Sequence, residues 1–308
     1  MPGLGDFWPY IIQGLAFGAM YAVTGTGLVV LYQTTGVVNL AFGAIGCMGA
    51  HLAWSMLGGS LSKPTPHAEG WRILAYPLLV VVCALLTLAY GVCIAPLLAR
   101  RDPLVKSLGT LGLALLLLGV MKERWDTSKP RAIELPSKKF TVAGGVVTTT
   151  QLVALGFAIL VVVVVTIFLK QTATGTAMRA IANDRDVSSL LGVPTRRIEA
   201  LAWLGSGVIC GCVFLMLPPL FKSLDQGTLT WFIIGALGGA IVGQFSSLTV
   251  TFFASMAIGL IESILTPFSD NFQFMSDFRK MTPFIVAVAA IMWISRRRTV
   301  VLAGREMR

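Results

Sequence analysis

Runs of about 20 apolar residues recur along this chain, each long enough to cross a bilayer: a helix rises about 1.5 Å per residue and the hydrocarbon core is about 30 Å thick. They lie near 11–32, 36–57, 73–98, 104–121, 151–170, 199–217, 229–246, 248–266 and 282–295. No water satisfies the backbone inside lipid, so the runs must be helices. A barrel would show alternating segments of about ten residues, and the sequence has none. Composition agrees: 56% of residues are hydrophobic, 12% are charged and mean hydropathy is +0.81, whereas soluble chains carry about 25% charged residues. The expected fold is all-α: a polytopic transmembrane helix bundle of eight or nine spans, one domain over 1–308. Two places leave the count open. The glycine-rich second run reads as a plain span or as a broken, partly re-entrant one. The 229–266 region reads as two spans or as a span plus half-helices.

Charge sets the orientation. The net charge is +10, but the basic residues cluster at span ends, as cytoplasmic anchors do, so nucleic acid is not an expected partner. With nine spans, Arg100, Arg101 and Lys106, then Lys170, Arg179, Arg185, Arg196 and Arg197, then the tail from Arg296 to Arg308, all fall on one side. That side is expected to be the cytoplasm, with the N-terminus outside and the C-terminus inside. The loop 122–150 runs against the rule, because it is placed outside yet carries Lys122, Arg124, Lys129, Arg131, Lys138 and Lys139. Pro130, Pro136 and Gly144-Gly145 punctuate it, and 146–150 (VVTTT) suits a short strand. The start of the chain lacks the basic region of a cleavable signal peptide, and its first apolar run continues too far for one. The five cysteines, Cys47, Cys83, Cys93, Cys210 and Cys212, all lie in apolar runs without metal-ligand spacing, and are expected to be buried small residues.

Thirty-two glycines mark the faces where helices meet. Gly14-x-x-x-Gly18, Gly207-x-x-x-Gly211 and Gly235-x-x-x-Gly239-x-x-x-Gly243 each present small residues on one face, and Gly43, Gly46 and Gly49 do so at a spacing of three. Lipid does not drive helices together, so close backbone approach must. The 151–169 run, with only Gly156 and five successive valines, is expected to face lipid.

One polar island interrupts this pattern. Residues 175–192 read GTAMRAIANDRDVSSLLG, between two apolar runs. Ala177, Met178 and Ile181 give an apolar edge to one short helix, Asn183 to Asp186 interrupt, and Val187, Leu190 and Leu191 give a second edge. Gly192 followed by Pro194 is a helix stop. The expected product is a compact cytoplasmic segment, 171–198, with an apolar side and a charged side. An amphipathic helix lying on the lipid surface is the alternative.

These motifs carry a resemblance. Gly175-Thr-Ala-Met-Arg-Ala-Ile-Ala-Asn-Asp (175–184) followed by Leu190-Leu191-Gly192-Val193 resembles the cytoplasmic coupling segment of LivH-type permeases of branched-chain amino acid ATP-binding cassette (ABC) transporters. Val37-Val38-Asn39-Leu40-Ala41-Phe42-Gly43 is similar to their N-F-A-x-G signature. The stretch 101–113, then Leu237-Gly238-Gly239 and Gly259-Leu-Ile-Glu262, resemble later parts in the same order. Phe42 departs from the His or Gln many members carry, and 244–257 has fewer glycines than usual.

The resemblance implies an importer of branched-chain amino acids or related small polar or carboxylated solutes, with urea or short amides as the alternative cargo. Its implied partners are a second related permease, two cytoplasmic ATPases, an extracytoplasmic solute-binding protein and the lipid of a bacterial inner membrane. No cofactor is expected in this chain; ATP and Mg would be bound by the ATPases, since the sequence lacks a G-x-x-x-x-G-K-[ST] loop. The coupling residues implied are Gly175, Arg179, Ala180, Asp184, Leu191 and Gly192. For a substrate pathway the candidates are Asn39, Gly43, Gly239 and Glu262.

Glu262 is a carboxylate within an apolar run, near the end of the eighth, with Thr266 and Pro267 following. Such a group usually faces protein or water, although anchoring at a helix end is an open alternative. His51 reads as a packed histidine. No catalytic residue and no metal site is expected, and an ion-coupled secondary transporter remains the rival class.

Overall fold

A computed structural model describes residues 8–56, 69–99, 101–125, 138–142, 145–269 and 281–292. Among these residues the fold is a helix bundle with one small hairpin. Five helices are long and apolar enough to cross a membrane, and several shorter ones accompany them. The elements are α1 (Trp8–Thr35), α2 (Phe42–Met56), α3 (Glu69–Ala89), α4 (Ala95–Leu98), α5 (Pro103–Arg124), β1 (Lys139–Val142), β2 (Gly145–Thr148), α6 (Thr149–Gln171), α7 (Ala173–Asn183), α8 (Arg185–Leu190), α9 (Thr195–Phe221), α10 (Gln226–Trp231), α11 (Ile233–Val242), α12 (Leu248–Ile264), α13 (Thr266–Ser269) and α14 (Met281–Met292).

The first helix runs through the centre. In α1, 89% of the apolar window is buried, against 17% in α6. Its small residues are the reason. A Cβ at Gly18 would lie 2.8 Å from the Met256 carbonyl oxygen, and one at Gly14 would lie 2.9 Å from the Leu260 Cα, so α1 and α12 meet backbone to backbone. The facing pairs, Gly14 with Ser263 and Gly25 with Thr251, show that the two helices run antiparallel. The other glycine faces behave alike: Gly207 and Gly211 seat α9 on α3, and Gly43 lies on the Thr230 backbone of α10. By contrast α6 buries few side chains, among them Ala154 and Ala158 along its middle and Leu169 near its end, and exposes Leu160, Val164 and Ile167, as a lipid-facing helix should.

Three interruptions refine the expected spans. The second run is broken: 37–39 lies outside any helix, and Asn39 turns the chain into α2 by accepting the Ala41 amide on Oδ1 at 3.1 Å. The 229–246 run is two half-helices, α10 and α11, meeting at Phe232. Between α3 and α4 the ladder slackens into a π turn, Tyr90–Ile94, where the Ala95 amide reaches back to the Tyr90 carbonyl. Pro96 has no N–H for the carbonyl four residues earlier, which accounts for the slack there. The turn lets Gly91 lie against the Trp203 side chain. It also turns Cys93 outward: burial holds for Cys47, Cys83 and Cys210 but not for Cys93, which is exposed, nor fully for Cys212.

The strand expected over 146–150 is present but ends at Thr148, with Thr149 and Thr150 opening α6. β1 and β2 pair antiparallel with Lys139 opposite Thr148, and Thr148 then starts α6 in a reciprocal cap with Gln151. The rest of the 122–150 loop, from 126 to 137, lies outside the described residues, as do His67 and the basic tail.

Close packing at Gly18 predicts that Gly18→Leu lowers stability in detergent by about 1–3 kcal/mol. Gly156→Leu, whose Cβ meets nothing within 4 Å, should be near neutral. Thermal unfolding of the two variants checks the difference.

Candidate functional site

Two places combine exposure, polarity and shape. One is the polar island; the other is a cavity inside the bundle.

The island folds as α7 and α8. Thr172 caps α7 by accepting the Gly175 amide at 3.0 Å. Gly175 is buried against the Leu169 and Phe168 backbone, where no side chain fits, so the chain reverses tightly out of α6. Met178 and Ile181 are buried in a cluster with Val30, Leu31, Leu169 and Trp203, which fixes α7 to α1, α6 and α9. Arg179 faces out, its Nη2 donating to Thr176 Oγ1 at 3.3 Å, and Ala180 is half-buried.

Asp184 breaks the two helices and caps the second, its Oδ1 accepting the Asp186 and Val187 amides at 3.0 Å each. Arg185 donates from Nε to Glu199 Oε1 at 2.6 Å, tying α8 to α9, and this hydrogen bond pushes the Arg185 pKa up. Gly192 ends the unit with φ +84°, a conformation that favours glycine; the Val193 amide closes back on the Ser188 carbonyl.

The two apolar edges therefore have different fates. The first is buried in the bundle. The second is open: Leu190 is 86% and Leu191 78% exposed, with Val187 also exposed. Arg196 and Arg197 stand exposed at the start of α9. Exposed apolar side chains on a fixed polar platform suit a protein partner.

The same end of the bundle holds Gln33, whose amide donates to the Ser246 carbonyl, and Ser107 and Thr110, which take the Val38 and Leu40 amides. Arg101, Lys106, Lys170, Arg179, Arg185, Arg196 and Arg197 thus belong to one end.

The cavity lies toward the opposite end and has a volume of about 720 Å³. Phe17, Tyr21, Phe221, Trp231 and Phe232 supply its aromatic lining, and Glu262 its carboxylate. Tyr21 stacks on Phe232 with centroids 4.3 Å apart and donates its hydroxyl to Glu262 Oε2 at 2.8 Å. A Cβ at Gly235 would fall on the Tyr21 ring, so that glycine makes room for it. Ser263 Oγ donates to the Tyr10 carbonyl at 2.6 Å, which places Glu262 near the N-terminal end of α1.

The four pathway candidates are not brought together. Glu262 lines the cavity. Gly239 lies one turn beyond Gly235, against Ser255. Asn39 is buried at the start of α2, and Gly43 packs on α10. Sequence reading missed Phe17 and Tyr21, although they follow Gly14 and Gly18 at the same spacing and share the glycine-marked turns of α1. His51 is fully buried, its Nδ1 2.9 Å from the Cys47 carbonyl and its ring against Trp125. Among the described residues no cluster of His, Cys, Asp and Glu could hold a metal ion.

The family model described as "Branched-chain amino acid transport system / permease component" matches residues 10–297. The high-affinity branched-chain amino acid transport permease BraD of Pseudomonas aeruginosa is 22% identical over 85% of this chain and 87% of its own length. The probable permease LivH of Methanocaldococcus jannaschii is 24% identical, covering 83% and 80%. LivH of Escherichia coli K12 is 22% identical, covering 84% and 85%. No solved structure matches the chain.

Loss of the α8 cap in Asp184→Ala should cost about 1 kcal/mol locally, and Asp184→Asn should retain most of it. Hydrogen exchange at the Asp186 and Val187 amides should accelerate in the first variant and stay slow in the second.

Proposed function

The chain belongs to the family of permease components of branched-chain amino acid transport systems, and from that premise we propose that it carries a branched-chain amino acid inward and is driven through its α7–α8 platform. It is a membrane-spanning permease subunit of an ABC importer. In the proposed assembly it pairs with a second related permease. Two ATPases, which bind ATP and Mg, dock on the platform from the cytoplasm, and a solute-binding protein delivers the cargo outside.

The observation that carries this reading is the division of the platform into two edges. Met178 and Ile181 are held by α1, α6 and α9, while Leu190 and Leu191 project outward unburied. A surface lever needs both: one face fixed to the moving bundle and one free to be gripped. The basic residues at that end support a cytoplasmic assignment, with the N-terminus outside and the C-terminus inside. Asp184 contributes by holding α8, Gly175 and Gly192 by allowing its two turns, and Ala180 by fitting between the faces. Arg179 is the charged contact on the outer face. The cargo follows from the relatives, whose names specify branched-chain amino acids. Closure of the ATPases shifts the bundle between two packings only by their differential affinity for the two states.

Leu190→Asp with Leu191→Asp should leave the paired permeases assembled, remove the ATPases from a mild-detergent pull-down and abolish solute-stimulated hydrolysis. Arg179→Glu should lower stimulated hydrolysis by about tenfold, the loss of one charged contact. Full ATPase recovery and wild-type stimulation in the Leu190 and Leu191 double variant would remove the platform from the coupling path.

A further inference from the structure

We propose that the solute's route through the bundle follows the seam where α1, α11 and α12 meet, and that the Thr251 and Ser255 hydroxyls are the polar groups that receive it there. This rests on the chain being the importer's permease, and it adds where in that permease the cargo passes.

Glycine forms one wall of the seam and hydroxyls the other. A Cβ at Gly239 of α11 would fall on Ser255 Oγ, and one at Gly243 would fall on Thr251 Oγ1. Gly25 of α1 closes the third side: a Cβ there would lie 2.9 Å from Thr251 Cγ2 and 3.4 Å from Ser255 Oγ. α11 and α12 thus run antiparallel, and one turn further the same register pairs Gly235 with Gly259. Both of these line the 720 Å³ cavity. The seam is therefore the continuation of that cavity toward the platform.

Both hydroxyls are fully buried, and neither has a hydrogen-bond partner among the described residues. Other buried threonines turn back on their own helix: Thr26 donates to the Ala22 carbonyl at 2.8 Å, Thr34 to the Val30 carbonyl at 2.9 Å and Thr87 to the Cys83 carbonyl at 2.9 Å. A polar group buried without a partner is costly, and that cost disappears once the seam parts and admits a polar solute. Neither hydroxyl ties α12 to α11, so parting the seam breaks no hydrogen bond of theirs. A hydroxyl both donates and accepts, so it serves the ammonium and the carboxylate of an amino acid alike.

At its inner end the seam is shut by the turn 243–247. Gln244 and Phe245 have φ +52° and +50°, a strained backbone for a residue as bulky as phenylalanine. The Phe245 ring lies against Tyr32 with centroids 4.6 Å apart, and the Gln33 amide donates to the Ser246 carbonyl at 2.7 Å. Leu248, just past the turn, packs against the cluster that holds Met178 and Ile181 of the platform. A pull on α7 is thus felt where the seam must open.

The test introduces Thr251→Cys, Ser255→Cys or Ile258→Cys into the assembled importer, in a background of Cys93→Ser and Cys212→Ser. Ile258 is the comparison: it is equally buried on α12 but packs toward Gly238, off the seam. Membrane-impermeant methanethiosulfonate-ethyltrimethylammonium, applied during ATP hydrolysis, should modify the cysteine at 251 or 255 at least about tenfold faster than the one at 258. Thr251→Val combined with Ser255→Ala should leave the unfolding temperature unchanged or raised, because apolar groups replace unpaired hydroxyls, yet slow uptake of labelled leucine by about tenfold. Thr251→Ser should retain uptake. The combined variant decides if a cysteine variant fails to assemble.

Modification at 251 or 255 no faster than at 258, or unchanged uptake in the folded combined variant, would overturn the proposal. Such a result with the ATPases still bound and hydrolysing would remove the seam and leave the importer reading standing. Failure of the unsubstituted chain to hold ATPases at all would remove both.

Discussion

The structure depends on how closely α1 and α12 approach. Lipid gives helices no reason to associate, so contact must come from backbone proximity, and Gly14, Gly18 and Gly259 provide it. The consequences reach well beyond those residues. Side chains on a helix lean toward its N-terminus, so the Tyr21 ring, set just under a turn beyond Gly18, extends along the contact and reaches Glu262. Gly235 on α11 leaves the space the ring occupies. The carboxylate, its phenol partner and the aromatic wall therefore follow from where the small residues fall.

The same helix ties the two candidate sites together. Near one end, Val30 and Leu31 of α1 belong to the cluster that buries Met178 and Ile181 of the platform. Toward the other, Phe17 and Tyr21 line the cavity. α1 spans 28 residues, about 42 Å at 1.5 Å per residue, and its one proline, Pro9, lies in the first turn, where it does not bend the helix. Trp203 of α9 joins the platform cluster as well, its ring tilted against Tyr90 at the π turn between α3 and α4. In the proposed importer, a pull on α7 acts on two helices whose far ends border the cavity.

Much of this architecture was legible in the sequence because lipid leaves few choices. An apolar run of the right length must be a helix, and its glycines name its contact face; α1, α5, α6 and α9 follow from that alone. The platform was legible because capping chemistry is local: the break at Asp184 and the left-handed Gly192 both appear where the side chains require them.

What escaped was non-local. The Tyr21–Glu262 hydrogen bond joins residues 241 positions apart, and no pattern in one sequence pairs them. Asn39 reads in the sequence as a helix breaker or as a solute contact, and its carboxamide oxygen is engaged in the turn that opens α2. Cys93 looked buried because its run is apolar; the π turn, set by Pro96, rotates it outward. Asp184 read as a contact for a partner, and its carboxylate is occupied in capping α8.

The account's central claim is that the free edge of α8 is where the motor subunits grip. Site-specific photocross-linking in the assembled complex tests it most directly, with a benzoylphenylalanine placed at Leu190 or, as a comparison, at Leu115, which is also exposed, on the apolar flank of α5. The account predicts an adduct to the ATPase from position 190 and none from 115. An intact complex with no ATPase adduct at 190, or with equal adducts at both positions, would contradict it.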